Sequence, residues 1–259
     1  MNVATHVFET MGTVVSIRFA AAPASEAVIA RVERAFSELD QRYSLYNPHS
    51  ELSRIASCSI ALQDASPHML DTYALATHWR MRTNGAFTPH RPDGVIDLSG
   101  VVKALAMDAA ARELESAGVE RWILNAGGDV IASPASEASP PWTVGIVDPA
   151  DRTELLTSVA LGGSRRACAT SGSAERGDHI WSLHERPELV QVTVVADDIL
   201  TADVLATAIV AGGAEALDLV CRTWPVDVLA IDADGALRMT PGAIEAMHAV
   251  RGLQAFTAA

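Results

Sequence analysis

Ten of the eleven residues in Leu200-Thr-Ala-Asp-Val-Leu-Ala-Thr-Ala-Ile-Val210 suit an apolar or small-residue helix; the eleventh, Asp203, is a carboxylate. On a helix, Asp203 and Thr207 share one face a turn apart. One anionic and one neutral oxygen suit a hard cation, and magnesium needs only one or two carboxylates beside water and phosphate. The alternative is an Asp paired with a nearby arginine or used as a cap. A second stretch, Asp97-Leu-Ser-Gly-Val-Val-Lys103, places a carboxylate, a glycine turn and an ammonium where a strand would pass into a helix. Such a junction can hold an anionic ligand, or can be a capped helix with a solvated lysine. Asn125-Ala-Gly-Gly-Asp129 permits positive φ or close approach of a ligand, and also reads as a plain hairpin turn or bulge. Ala169-Thr-Ser-Gly-Ser-Ala-Glu-Arg-Gly-Asp-His-Ile180 reads as a small hydroxyl-rich loop after a strand. It could cradle phosphate, with His179 as acid or base, or be an ordinary surface loop.

Other chemistries lack their signatures. There is no GxGxxG, Walker or GxSxG sequence, and the remaining histidines are scattered. Cys58, Cys168 and Cys221 are far apart, without CxxC, and read as free thiols rather than a disulfide framework. The net charge of -13 argues against nucleic acid or an anionic membrane as partner. An anionic substrate then needs a local remedy such as a metal ion or a helix N-terminus. Lys103 is the only lysine among 19 basic residues, which singles it out. The N-terminus carries neither a basic nor an apolar signal-peptide region, and no apolar run approaches the roughly 18–20 residues of a membrane span. A cytoplasmic protein without membrane insertion is expected.

The elements that must position these residues are set by periodicity. Residues 5–20 alternate as a strand or hairpin, and 25–44 carry helical spacing. Ser50 opens a short capped helix, and Ser66–Thr83 is a helix with Pro67 in its first turn and Asn84-Gly85 at its end. A turn-rich loop at 87–94 leads to a short strand at Val95–Leu98, then a helix from Gly100 to Gly118. Further strands are expected at 121–125, continuing past 129, and at 142–147, 158–161, 168–170 and 189–195. Helices at 201–211 and 214–223 flank Gly212-Gly213, and a hairpin around Asp234-Gly235 closes the chain. Strands and helices mix without regular βαβ alternation. The expected class is α+β, with mixed or antiparallel sheets and flanking helices. One domain over 1–259, with two interlocked subdomains as the variant, fits this length.

Met11-Gly-Thr13, Tyr46 with Ser50-Glu51, Gly85-Ala-Phe87, Asp97–Lys103, Asn125–Asp129, Thr170-Ser-Gly172, His179-Ile180 and Ala202–Thr207 occur in one order. That ordered set, from about residue 8 to 240, resembles the ApbE family of FAD:protein FMN transferases. The resemblance implies an ApbE-like, T-fold-related architecture. It implies magnesium-dependent cleavage of the FAD pyrophosphate, release of AMP and transfer of FMN to a Thr or Ser hydroxyl of a target flavoprotein. It implies magnesium ligands at Asp203, Thr207 and the Gly100 carbonyl. It implies FAD contacts at Met11, Tyr46, Ala86, Phe87, Thr88, Asp97, Lys103 and Ile180, and a catalytic role for His179; beside it, Thr170, Ser171 and Gly172 are read as the phosphate cradle, and Lys103 as a catalytic cation for the reacting phosphates. Alternatives are an FAD pyrophosphatase and a non-catalytic FAD-binding protein. The chain departs from the usual pattern at Lys103-Ala104, after His179-Ile180, and in the short segment between Phe87 and Asp97, so it resembles a short form.

Overall fold

A computed structural model of the chain describes residues 4–20, 22–134, 140–172 and 188–248. The chain forms two compact units, residues 1–127 and 128–259. The first opens with a hairpin of β1 (Ala4–Thr10) and β2 (Thr13–Phe19). Its two-residue turn has positive φ at both Met11 and Gly12, which matches the twist of the flanking strands. Helices α1 (Glu26–Tyr43), α2 (Glu51–Ala56), α3 (Pro67–Arg82) and α4 (Ser99–Ser116) come next, then β3 (Trp122–Ala126), antiparallel to β2. Strand alternation makes the core. Val15, Ile17 and Phe19 are buried on one face of β2, while Val14 and Arg18 face outward. Val28, Val32 and Phe36, spaced by four, give α1 its buried stripe, and α1 packs against α4.

The second unit holds β4 (Asp129–Ala132), β5 (Trp142–Val147), β6 (Leu155–Leu161), β7 (Ala167–Gly172), β8 (Leu189–Ala196), α5 (Ile199–Thr223), β9 (Asp227–Asp232), β10 (Leu237–Met239), α6 (Pro241–Ala246) and β11 (Met247–His248). Five strands run in the order β4-β7-β8-β9-β10, and β11-β6-β5 form a separate sheet. The pairings within each unit are antiparallel, as the α+β reading expects. Helix α5 packs on β7 and β8. It breaks at Gly213, with φ 62 and ψ -146, where the Gly212-Gly213 pair predicts a boundary.

Three expectations need correction, and one open alternative, a solvated lysine, is removed. Val95–Leu98 is not a strand; Ile96 makes one isolated bridge to His90 across a tight turn. Thr170-Ser-Gly172 is not a loop but the end of β7, paired with Thr193, Val192 and Gln191 of β8. Lys103 is buried in α4 rather than solvated. Finally, α5 is long and apolar enough, by length and composition, to cross a membrane, so an apolar run of that length does exist. Its apolarity matches a core role, because 67% of its most apolar window is buried within the protein. Helix α6 and the 3-10 turn Leu62–Asp64 are too short to leave a periodic signal.

Candidate functional site

In the first unit the candidate ligand residues sit on turns with defined supports. Tyr46 lies 85% exposed on the loop between α1 and α2. That loop is gripped at both ends. The Ser50 hydroxyl donates to the Ser44 carbonyl at 2.6 Å and accepts the Ser53 N–H at 2.9 Å, which makes Ser50 the cap of α2. Ser53 donates to the same carbonyl at 3.0 Å. Glu51 in turn holds the cap of α3, accepting from the Ser66 N–H and hydroxyl at 2.5 and 2.7 Å.

After α3, positive φ at Asn84 and Gly85 reverses the chain. Thr83 organises the segment beyond it: its hydroxyl donates to the Trp79 carbonyl at 2.8 Å and accepts the Phe87 N–H at 3.1 Å. The Phe87 ring is buried, and a methyl group built on Gly100 would stand 2.8 Å from its Cε2. Glycine at 100 therefore lets α4 begin against this ring. The turn from His90 to Ile96 folds back so that the Asp97 N–H donates to the Pro89 carbonyl at 2.8 Å. Asp97 Oδ1, two residues before α4 begins, then accepts the Ser99 N–H at 2.9 Å and so satisfies the first N–H of the helix. Lys103, in the second turn of α4, is only 7% exposed. A buried ammonium is costly unless partnered, so this side chain is fixed rather than roaming.

The second unit gathers oxygens around β7 and α5. Asp203 is 3% exposed, and Thr207, one turn on, has its Oγ1 3.3 Å from Ser171 Oγ. Thr170 points to the other face of the strand, as alternation requires, and pairs with the Thr193 hydroxyl at 2.9 Å. Asp129, fully buried at the head of β4, accepts the Thr170 N–H at 3.2 Å. Its charge, after burial itself, helps push the neighbouring Cys168 thiol up to about 12. Among the described residues no three His, Cys, Asp or Glu side chains cluster as a metal site. A carboxylate with two hydroxyls nearby fits a hard cation that completes its shell with backbone, water or phosphate oxygens.

The ApbE family model matches residues 11–91 and 89–230. The chain belongs to the ApbE family. It is 30% identical over 157 residues to the FAD:protein FMN transferase of Klebsiella pneumoniae, covering 56% of this chain and 44% of that protein. The chain thus spans under half the length of that curated relative. A 25% identical match to the Vibrio cholerae FAD:protein FMN transferase covers 86% of this chain and 85% of that one. The crystal structure of the ApbE protein from Thermotoga maritima aligns with a TM-score of 0.78 at 18% identity, over 95% of this chain and 99% of that one. At that identity the likeness shows the shared ApbE fold.

Within this ApbE chain, Met11, Tyr46, Ala86, Phe87, Thr88, Asp97, Gly100 and Lys103 fall in the first unit. Thr170, Ser171, Gly172, Asp203 and Thr207 fall in the second. His179 and Ile180 lie outside the described residues. Phe87 is 4% exposed, so its ring supports Gly100 from within the core. Two supports carry no signal as single residues. Thr83 sets the 86–88 segment through a hydroxyl that reads in sequence as one more helix-terminal threonine. Asp129 stands out only once burial is known, although the Gly-Gly-Asp turn before an apolar strand points towards it.

Proposed function

We propose that this chain is an FAD:protein FMN transferase that acts on a Ser or Thr hydroxyl of a partner flavoprotein. The observation that carries the reading is the buried Asp203 one turn before Thr207, whose hydroxyl meets Ser171, in a chain of the ApbE family. Asp203, Thr207 and the Gly100 carbonyl are the proposed magnesium ligands. When bound, the ion would neutralise charge developing on the pyrophosphate oxygens. Lys103 and the first N–H groups of α4 add positive potential for the same phosphates. Tyr46 stacks on the flavin ring with its exposed face. Met11, the Ala86-Phe87-Thr88 segment, Asp97, Thr170, Ser171, Gly172 and Ile180 hold the rest of the dinucleotide. Because the Phe87 ring is buried, residue 87 meets the ligand through its backbone.

The bond changes balance as a phosphoryl-type transfer. The acceptor oxygen bonds to the FMN phosphorus, the bridging P–O bond breaks, and AMP leaves with the bridging oxygen. The acceptor hydroxyl proton passes to His179. The deciding assay incubates the protein with FAD, magnesium chloride and a flavoprotein segment that carries a Ser or Thr acceptor. Mass spectrometry should show an FMN-sized gain on the acceptor, with AMP released in equal amount, and Asp203→Ala should abolish both. AMP and free FMN without a mass gain would make the protein a pyrophosphatase. FAD bound and unchanged would make it a binding protein.

A further inference from the structure

We propose that His90 is a positioning residue: gripped by Tyr73, it turns the Thr88 hydroxyl into a directed hydrogen-bond donor for an acceptor oxygen of the bound flavin nucleotide. The inference rests on the proposed transferase function only in taking Thr88 as a ligand contact. The geometry is a short relay within the first unit. Tyr73, on α3, places its hydroxyl 3.0 Å from His90 Nε2, and the two rings meet edge to face with centroids 5.7 Å apart. On the other side His90 Nδ1 stands 3.5 Å from Thr88 Oγ1, and the His90 backbone N–H donates to the same oxygen at 3.2 Å. The isolated bridge between His90 and Ile96 fixes the backbone beneath the ring.

The direction of each bond follows from donor and acceptor counts. Burial, followed by the nearby Arg80 cation, holds the His90 pKa below its ordinary value, so the ring is neutral near pH 7. A neutral imidazole has one donor and one acceptor nitrogen. A phenol hydroxyl is the stronger donor towards imidazole, which assigns Nε2 as acceptor from Tyr73 and leaves the proton on Nδ1. Thr88 Oγ1 then receives two N–H groups, from Nδ1 and from the backbone. Both lone pairs are engaged, so the hydroxyl proton must point elsewhere. Donors in series polarise one another, which strengthens that outward O–H. A phosphate oxygen or a flavin carbonyl is the acceptor class such a donor selects, and an N–H group of the ligand would find no lone pair there. The Nδ1 contact is the longest of the three, so the expected effect is that of one neutral hydrogen bond.

FAD binding to the whole chain, read by quenching of flavin fluorescence in EDTA to prevent turnover, tests this. Thr88→Val should weaken binding about five- to tenfold. His90→Phe, which keeps a ring against Tyr73, should weaken it by a similar factor, and the double variant should be no weaker than Thr88→Val alone. His90→Asn, whose amide nitrogen lies near the Nδ1 position, should recover most of the loss. Tyr73→Phe should give a smaller loss in the same direction without disturbing the fold. Wild-type affinity in His90→Phe, or losses that multiply in the double variant, would overturn the inference while leaving the transferase reading intact. Wild-type protein that binds FAD but transfers nothing would overturn the transferase reading and leave the relay to be judged by the cycle. Wild-type protein that does not bind FAD would overturn both.

Discussion

At the scale of residues, burial decides what a side chain can do. Three cysteines look alike in the sequence, yet Cys168 is buried, while Cys58 and Cys221 are exposed. Burial, then the Asp129 charge, pushes the Cys168 thiol up to about 12, so almost no thiolate forms at neutral pH. A maleimide added to the native protein should label Cys58 and leave Cys168 intact until denaturant is added, as peptide mapping would show. His90 gives a pH dependence of defined sign. Its folded pKa lies below the ordinary 6.5, so the unfolded chain takes up the proton first. The stability contributed by the neutral ring is complete above that pH, and it is lost as the pH falls through 6.5 towards the lower folded value. The fall in Tm between neutral and mildly acidic buffer should therefore be smaller for His90→Phe than for the wild type. Equal slopes would show that the ring titrates alike in both states.

Among the elements, short ones depend on single caps. Helix α2 has six residues, and its Ser50 cap also holds the Ser44 carbonyl at the base of the Tyr46 loop. Ser50→Ala should cost about 0.5–2 kcal/mol in urea unfolding. It should also weaken FAD binding, because Tyr46 would lose its fixed approach. Loss of stability with unchanged FAD affinity would separate the cap from the ligand. In α5 the break at Gly213 is equally specific. Its φ of 62 with ψ -146 is a region open essentially to glycine, and an added Cβ would stand 2.5 Å from Glu188 Oε2. That carboxylate accepts the Ala214 N–H at 2.9 Å and so caps the second half of the helix. Gly213→Ala should destabilise the protein by about 1–3 kcal/mol, measured by chemical denaturation. A neutral result would mean that the helix can straighten through this point.

On the scale of the whole molecule, the excess of 32 acidic over 19 basic residues sets the partners it tolerates. The protein should pass through a heparin column at low salt without retention, since a polyanion meets net repulsion. An anionic dinucleotide needs local positive charge instead, which is the part proposed for Lys103, the α4 N-terminus and magnesium. Much of the chain is legible from sequence. The Ser-capped helices, the alternating stretch that becomes β1 and β2, and the Gly212-Gly213 break follow from local chemistry, which a sequence states directly. The ordered motifs suffice for the family, because their order survives even where each is weak. Local signals fail where the partner is distant in sequence. Val95–Leu98 has strand-like residues but only one bridge partner. Thr170-Ser-Gly172 has loop-like composition, yet β8 extends it by pairing with it. Helix α5 is apolar because β7 and β8 cover it, and composition alone cannot tell a protein core from lipid. The sequence by itself determined the α+β class, most of the elements and, through its ordered motifs, the family. Tertiary structure alone decided that Lys103, Asp129 and Asp203 are buried and that Tyr46 stays exposed, because burial is a property of neighbours brought together from far along the chain.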